Sequence, residues 1–423
     1  GYASYVVGGC VRDACLGLTP QDYDLCTSAL PEQTERVFHD RRLVLAGKKH
    51  GTVGVVTENG VVEITTFRRE GGYGDNRHPD WVEFVPDVES DLARRDFTVN
   101  AMAYSPARGY ADPFGGREDL EKGILRAVGD PEKRFQEDSL RILRGVRFAV
   151  RFGLQVDSAT EKAMFSQVSL MDNLARERVF DELCKLLPLV TAEDLIRFAP
   201  ILAAVIPELK PMIGFDQRSP HHAYDIYTHV AGVVAGVPGD LTLRWAALLH
   251  DVGKPACCTE DPDGTRHFCG HWDVGADMVR EMLNTQLRLP AQVRDTIVDL
   301  VRIHDHPMEP TPRTVRRALS SLGEHKVRQW MALHRADLIA HGLPEQRRKR
   351  LLEELDKTVG FAALLEEELA RAACLNLRDL AVKGGDLIAL GFAPGPALGR
   401  ALHALLEAVM DERVENRREP LLE

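Results

Sequence analysis

No C-x-x-C pair occurs among the eight cysteines of this 423-residue chain, which sit at 10, 15, 26, 184, 257, 258, 269 and 374. A disulfide framework or a zinc ribbon needs paired spacings, so a reducing cytoplasm is the simpler setting. No apolar run approaches the roughly 20 residues that span a bilayer. Residues 198–206 come nearest, and Pro200 interrupts them. A charged leader is lacking as well, because Tyr5, Val6 and Val7 run straight into folded-looking sequence. The chain begins at Gly1 without a methionine, which leaves room for a missing natural N-terminus. Basic excess is also absent. A net charge of −11 argues against coating nucleic acid by bulk charge, though not against a local basic groove.

What is present is balanced: 44% hydrophobic and 28% charged residues exclude a disordered or collagenous chain. The length suits about two to four domains. Residues 1–125 mix short β-type runs with turns. Strands are expected over 4–7, 23–27, 52–57 and 61–67, with Asn59-Gly60 joining the last two as a hairpin. After Asp130 helical periodicity takes over. Pro211, Gly214 and Pro220 mark a boundary near residues 210–221. No internal repeat or low-complexity tract is found.

Gly8-Gly9 follows the first strand and precedes a helical stretch at 10–16. Glycines there let backbone N–H groups approach a phosphate, and Arg12 could grip one. Alone, such a pair is more often a simple turn. Asp22 and Asp24 carry more weight. Two apart on a strand, their carboxylates share one face and repel unless a cation lies between them. Mg²⁺ held by one or two carboxylates plus substrate phosphates fits that need, and an exposed, solvated pair is the alternative. Glu63, in Val61-Val62-Glu63-Ile64, either completes a two-metal site for nucleotidyl transfer or is an exposed strand residue.

These residues carry a family resemblance. Gly8-Gly9-Cys10-Val11-Arg12-Asp13 with Asp22-Tyr23-Asp24 resembles the opening of the class II tRNA nucleotidyltransferases, the CCA-adding enzymes. Residues 94–101, Arg-Arg-Asp-Phe-Thr-Val-Asn-Ala, are similar to their second motif. Asp112-Pro113-Phe114-Gly115-Gly116 matches the next, and Glu137-Asp138-Ser139-Leu140-Arg141 their nucleotide-reading motif. The resemblance covers roughly the first 150 residues. It implies nucleotide binding by Gly8, Gly9 and Arg12, and metal binding by Asp22 and Asp24. It also implies that Arg95, Asp96 and Asn100 hold the sugar and phosphates, and that Asp138 and Arg141 read the base without a nucleic-acid template. Arg144 and Arg147 look like further nucleotide contacts.

The base-reading pair has a chemical logic. Arg141, Arg144, Arg147 and Arg151 fall at spacings of one helical face, and Asp138 lies three residues before Arg141 and can stand beside it. Cytosine and adenine each offer an exocyclic amino donor beside a ring-nitrogen acceptor, whereas uracil and guanine put a carbonyl where the amino group should be. A carboxylate accepts from the first pair and opposes the second, at roughly 1–3 kcal/mol per buried unpaired group. A solvated helix with an i,i+3 ion pair is the plainer alternative. Between the hairpin and Arg94, residues 69–81 hold Gly71, Gly72, Gly74 and Pro79, either a loop that moves during nucleotide addition or a surface loop.

The third block is rich in histidine. His229, His250-Asp251 and Asp337 stand in the order of an HD-type metal phosphohydrolase, with His271 and His304 able to extend the site to a second metal. It resembles the HD domain of some bacterial CCA-adding enzymes, where phosphatase and cyclic phosphodiesterase activities occur. A lone His-Asp is more often structural. His221, His222, His306 and His334 take no role, and Cys257, Cys258 and Cys269 read as ordinary thiols. Arg347-Arg348-Lys349-Arg350 either grips RNA or forms a solvated helix face.

The expectation is an α+β chain: a mixed β-sheet nucleotidyltransferase head (1–125), a mostly helical neck and body (126–220), an HD-type helical domain (221–342) and a helical, tRNA-binding tail (343–423). It adds CMP and AMP to the tRNA 3′ end in the cytoplasm, using CTP, ATP and Mg²⁺, with a second divalent metal at the HD site and no membrane partner. The rivals are a CC-adding or A-adding specialist, a bacterial poly(A) polymerase sharing the head, and an HD phosphohydrolase with an RNA-binding head. Lys48-Lys49-His50-Gly51-Thr52 after Gly47 looks like the CCA-adding form.

Overall fold

A computed structural model of the chain describes residues 1–72, 80–218, 223–286, 289–342, 348–371 and 374–423. They divide into two compact units, residues 1–190 with 197–210, and residues 191–196 with 211–423.

The first unit begins with β1 (Ser4–Val7), β2 (Leu25–Thr27), β3 (Leu43–Val44), β4 (Thr52–Thr57), β5 (Gly60–Thr66), β6 (Arg68–Gly71), β7 (Trp81–Phe84), β8 (Ala103–Ser105) and β9 (Gly109–Ala111). Seven of these form one sheet in the order β3-β4-β5-β2-β1-β8-β9, while β6 and β7 pair separately. Only β2 and β5 run parallel, so the sheet is mixed. Val7, Cys26, Phe67, Leu92 and Ala101 form the core of this region.

Three local expectations shift. The strand expected over 23–27 starts at Leu25, so Asp22 and Asp24 lie just ahead of it on exposed, irregular chain. Aspartate is a poor strand former, although the Asp24 carbonyl still accepts from Val7 N at 3.0 Å. The strand expected over 61–67 spans Gly60–Thr66. Because Thr57 pairs with Gly60, the hairpin turn is Glu58-Asn59, and Gly60 opens β5. Of the glycine-rich segment at 69–81, residues 73–79, with Gly74 and Pro79, lie outside the described residues.

Helices supply the rest of the unit. Gly9–Cys15 follows β1 directly. Val88–Ala93 is capped by Asp87, whose carboxylate accepts from Ser90 N at 2.8 Å. Pro131–Glu137 starts on a proline behind the Asp130 cap. Asp138, extended at φ −149°, breaks the chain before Leu140–Phe152 begins. That helix buries Leu140, Leu143 and Val146 at its core face and ranges its arginines beside them.

The second unit is helical: Ile226–Gly236, Leu241–Leu249, His271–Thr285, Ala291–Ile303 and the long Pro312–Ala340, which kinks at Gly323. Asp225 and Asp240 cap the first two through side-chain hydrogen bonds. Beyond lie Arg348–Ala370, Pro396–Met410 and Arg418–Leu422, with Leu380, Val382, Leu406, Met410 and Leu421 as a small core. Arg347 of the basic run lies outside the described residues, as do His221 and His222. Lys349, exposed, stands 3.9 Å from Glu353 one turn on, an ordinary solvated pair. Among the described residues no helix is long and apolar enough to cross a membrane.

Candidate active sites

In the first unit, four of the expected residues join in one hydrogen-bonded line. Arg12, buried in the helix Gly9–Cys15, donates through Nη1 to Asn100 Oδ1 at 2.6 Å and through Nε and Nη2 to Asp13 Oδ1. Asn100 Nδ2 donates to Asp96 Oδ1 at 3.1 Å. Arg144 Nε and Nη2 grip Asp96 Oδ2 at 2.9 and 2.6 Å. Burial raises the Asp96 carboxyl, but Arg144 and Asn100 outweigh it and hold the group down at about 2. Glu182 extends the line, accepting from Arg147 Nε at 2.5 Å and standing 3.8 Å from Arg144.

Gly8 fits this site for a steric reason. Its φ of 78° lies in the left-handed region, and a Cβ there would meet Arg95 Nη1 at 2.7 Å. Arg95 is also held by Asp91, a fully buried carboxylate that accepts from Arg94 Nη2 at 2.9 Å and from Arg95 Nη2 at 3.5 Å. Arg95 Nε is buried without a hydrogen-bond partner and can donate to an incoming oxygen. Asp91 escaped the sequence reading, although its i,i+3 and i,i+4 spacing to Arg94 and Arg95 was visible.

A cavity of 250 Å³ opens among Arg94, Arg95, Asp96, Asp138, Arg141 and Arg178. Asp138 and Arg141 both line it, joined by Arg141 N donating to the Asp138 carbonyl at 3.0 Å, but their side chains are not partnered with each other. Asp138 is clamped by Arg178, with Nη1 to Oδ1 at 3.1 Å and Nη2 to Oδ2 at 2.6 Å. Arg141 binds Glu137 Oε2 at 2.5 Å and the carbonyls of Arg134 and Arg94, each at 3.0 Å. The two residues therefore stand at one cavity but do not form an ion pair with each other. The chain breaks at Asp138, so the two residues do not share a helix, and each carries its own partner.

Asp22, Asp24 and Glu63 are exposed. Partial desolvation raises the Asp24 carboxyl, Arg95 opposes this, and Asp22 adds to it. Glu63 lies one residue before Ile64, which pairs with Leu25, so it is in the row beside Asp24. Among the described residues, none of the three belongs to a ready-made cluster of three metal ligands. Two hard carboxylates on exposed chain beside Gly8 nevertheless suit a divalent cation that arrives with phosphates.

The second unit gathers every expected histidine ligand. His229 Nε2 stands 2.9 Å from Asp337 Oδ1, and His250 Nε2 3.3 Å from Asp251 Oδ2. His271 Nε2 and His304 Nε2 lie 3.3 and 3.6 Å from Asp251 Oδ1. Asp251 thus faces two groups, His229 with His250 and His271 with His304. His250 and His304 follow directly on the last turns of Leu241–Leu249 and Ala291–Ile303. Gly253 lets this turn approach the His271 helix, since a Cβ there would overlap the His271 carbonyl.

The ring orientations are fixed from behind. Nδ1 of His250, His271 and His304 faces the carbonyls of Ala247, Phe268 and Val301 at 2.8, 2.8 and 2.7 Å. A carbonyl accepts only from N–H, so each Nδ1 carries a proton and each Nε2 faces the cluster. His250 Nε2 and Asp251 Oδ1 are buried without a hydrogen bond, while Lys254 Nζ pairs with Asp251 Oδ2 at 2.7 Å. Burial opposes charge on His250, but Asp251 and Asp337 more than offset it and push the group up to about 10, while both carboxyls fall well below their usual range. Such a cluster attracts positive charge, and its nitrogen and oxygen donors fit divalent metal. His341, missed in the sequence, also approaches Asp337 Oδ1 at 3.6 Å. His334 Nδ1 faces the His304 carbonyl at 3.2 Å, and His306 packs near Trp272.

Four family models match stretches of the chain. Residues 4–126 match the poly A polymerase head domain, 153–212 a model described as a "Probable RNA and SrmB- binding site of polymerase A", 227–359 the HD domain and 314–423 domain 2 of tRNA nucleotidyltransferases. The CCA-adding enzyme of Limosilactobacillus reuteri (strain DSM 20016) is 32% identical over 100% of this chain and 92% of its own. That of Geobacillus kaustophilus is 33% identical over 99% and 91%. The crystal structure of the Bacillus stearothermophilus CCA-adding enzyme in complex with CTP superposes with a TM-score of 0.69 at 29% identity, covering 100% of this chain and 92% of that one. With such identity sustained along nearly the whole of both relatives, the chain belongs to the family of CCA-adding enzymes.

Proposed function

We propose that this protein adds CMP and AMP, without a nucleic-acid template, to the 3′ end of tRNA lacking its CCA. The observation that carries the reading is the 250 Å³ cavity in which Asp138 and Arg141 sit beside Arg95, whose buried Nε has no partner. Full-length similarity to CCA-adding enzymes, rather than to the shared head alone, favours this over a poly(A) polymerase.

In this reading CTP or ATP enters with its base toward Asp138 and Arg141. Asp138 accepts from the exocyclic amino group and Arg141 donates to the ring nitrogen, which rejects uracil and guanine. Arg12, Arg95 and Asn100 hold sugar and phosphates, while Arg144 and Arg147 brace the site through Asp96 and Glu182. Gly8 and Gly9 leave room for the triphosphate. Asp22 and Asp24 would hold Mg²⁺, with Glu63 in the adjacent row, and the bound metal supplies Lewis-acid activation of the tRNA 3′-hydroxyl and charge relief at the departing pyrophosphate. The partners, tRNA, CTP and ATP, fit a cytoplasmic protein.

The second site reads as a metal-dependent phosphohydrolase. His229, His250, Asp251 and Asp337 would hold one divalent metal and Asp251, His271 and His304 a second, and metal here lowers the pKa of bound water for attack on a phosphate ester.

The test uses three tRNA transcripts, ending before CCA, after C and after CC, each given CTP, ATP, both, or UTP and GTP. All three are expected to reach CCA and stop. Addition confined to CC or to the last A makes the protein a specialist, and long A tails make it a polymerase.

A further inference from the structure

The base-reading carboxylate is held by a residue forty positions away. We infer that Arg178 is the positioning residue that sets nucleotide discrimination, by fixing the orientation of Asp138. The inference rests on the CCA-adding reading above.

Asp138 sits at the C-terminal end of Pro131–Glu137 with extended backbone, where no helix holds its side chain. Two groups do so instead. Leu140 N donates to Oδ1 at 3.2 Å, and Arg178 closes a two-point fork on both oxygens at 3.1 and 2.6 Å. A carboxylate offers about four lone-pair positions. Three are taken, two on Oδ1 and one on Oδ2, which leaves an acceptor position on Oδ2. An amino group is satisfied there and a carbonyl is not. The fork also turns the guanidinium donors onto Asp138, away from a carbonyl that uracil or guanine would present.

The supporting helix is built for this task. In Arg176–Leu186, Arg178 and Glu182 stand one turn apart on the same face. Arg178 binds Asp138, while Glu182 binds Arg147 at 2.5 Å and approaches Arg144 at 3.8 Å. One helix face therefore presents a cation to the lone carboxylate and a carboxylate to the arginine row. Without Arg178, Asp138 turns about its side-chain bonds and the single fixed acceptor is lost. Selectivity between amino and carbonyl bases then relaxes.

The experiment measures kcat and KM of the full chain for CTP, ATP and UTP on tRNA ending before CCA, with wild type, Arg178→Gln, Arg178→Lys, Asp138→Asn and the Asp138→Asn/Arg178→Gln pair. In R178Q the CTP-over-UTP preference in kcat/KM is expected to fall about tenfold or more, with KM for CTP rising more than kcat falls. R178K is expected between wild type and R178Q, since a point charge cannot fix both oxygens. In the D138N background, R178Q is expected to change the preference no further, because Arg178 acts through Asp138. Wild-type preference retained in R178Q, an equal loss for all three nucleotides, or a full further loss in the D138N background would overturn the inference. If R178Q does not fold, R178K decides by the same preference. A wild type that adds no CMP or AMP contradicts the CCA-adding reading instead.

Discussion

His271 Nε2 lies 3.1 Å from His304 Nε2, and each ring turns its Nδ1 to a backbone carbonyl. Two lone pairs that close repel unless a cation sits between them, and Asp251 Oδ1 borders both. Equilibrium dialysis with Mn²⁺ should find metal bound to wild type, about one equivalent less in His271→Ala or His304→Ala, and none in Asp251→Asn. Unchanged stoichiometry in both histidine variants would remove the second metal position.

Removing Glu182 should destabilise the first unit severely. Its carboxylate and the Arg147 side chain are 6% and 7% exposed, so Glu182→Gln leaves an uncompensated buried cation. A cost of about 3–5 kcal/mol is expected in denaturant unfolding. Replacing both by apolar residues of similar volume should recover most of it.

Acid should act through Asp96. Its folded carboxyl titrates at about 2, below the unfolded value of about 3.9. A depressed folded value means the stabilisation, about 3 kcal/mol, is complete above about pH 5 and is lost as pH falls through 2. The stability gap between wild type and Asp96→Asn should therefore narrow from pH 5 to pH 2. A constant gap would show that Asp96 stabilises by packing alone.

Gly8→Ala tests the loop geometry. A Cβ at φ 78° is strained and meets Arg95, so nucleotide addition should fall at least about tenfold and stability should drop by about 1 kcal/mol or more. An alanine variant with wild-type activity would mean that Arg95 moves aside without consequence.

The residues above divide by how far along the chain their partners stand. Arg12, Asp96, Asn100 and the His-Asp pair were legible because their motifs are local and ordered. The mixed sheet was legible from short alternating runs, though β2 starts two residues later than expected because Asp22 and Asp24 resist pairing. Arg178 escaped because its partner is forty residues distant, and its helix looks like any amphipathic segment. Asp138 and Arg141 were legible as neighbours at one cavity, but their own partners were not. Spacing that suits one helix says nothing when the chain breaks between them.

The most direct test follows the length of a tRNA transcript lacking CCA, incubated with CTP, ATP and Mg²⁺, for wild type and Asp22→Asn. The account predicts that wild type adds C, C and A and then stops, and that Asp22→Asn is slower by roughly a hundredfold or more. Extension by Asp22→Asn at the wild-type rate would contradict it.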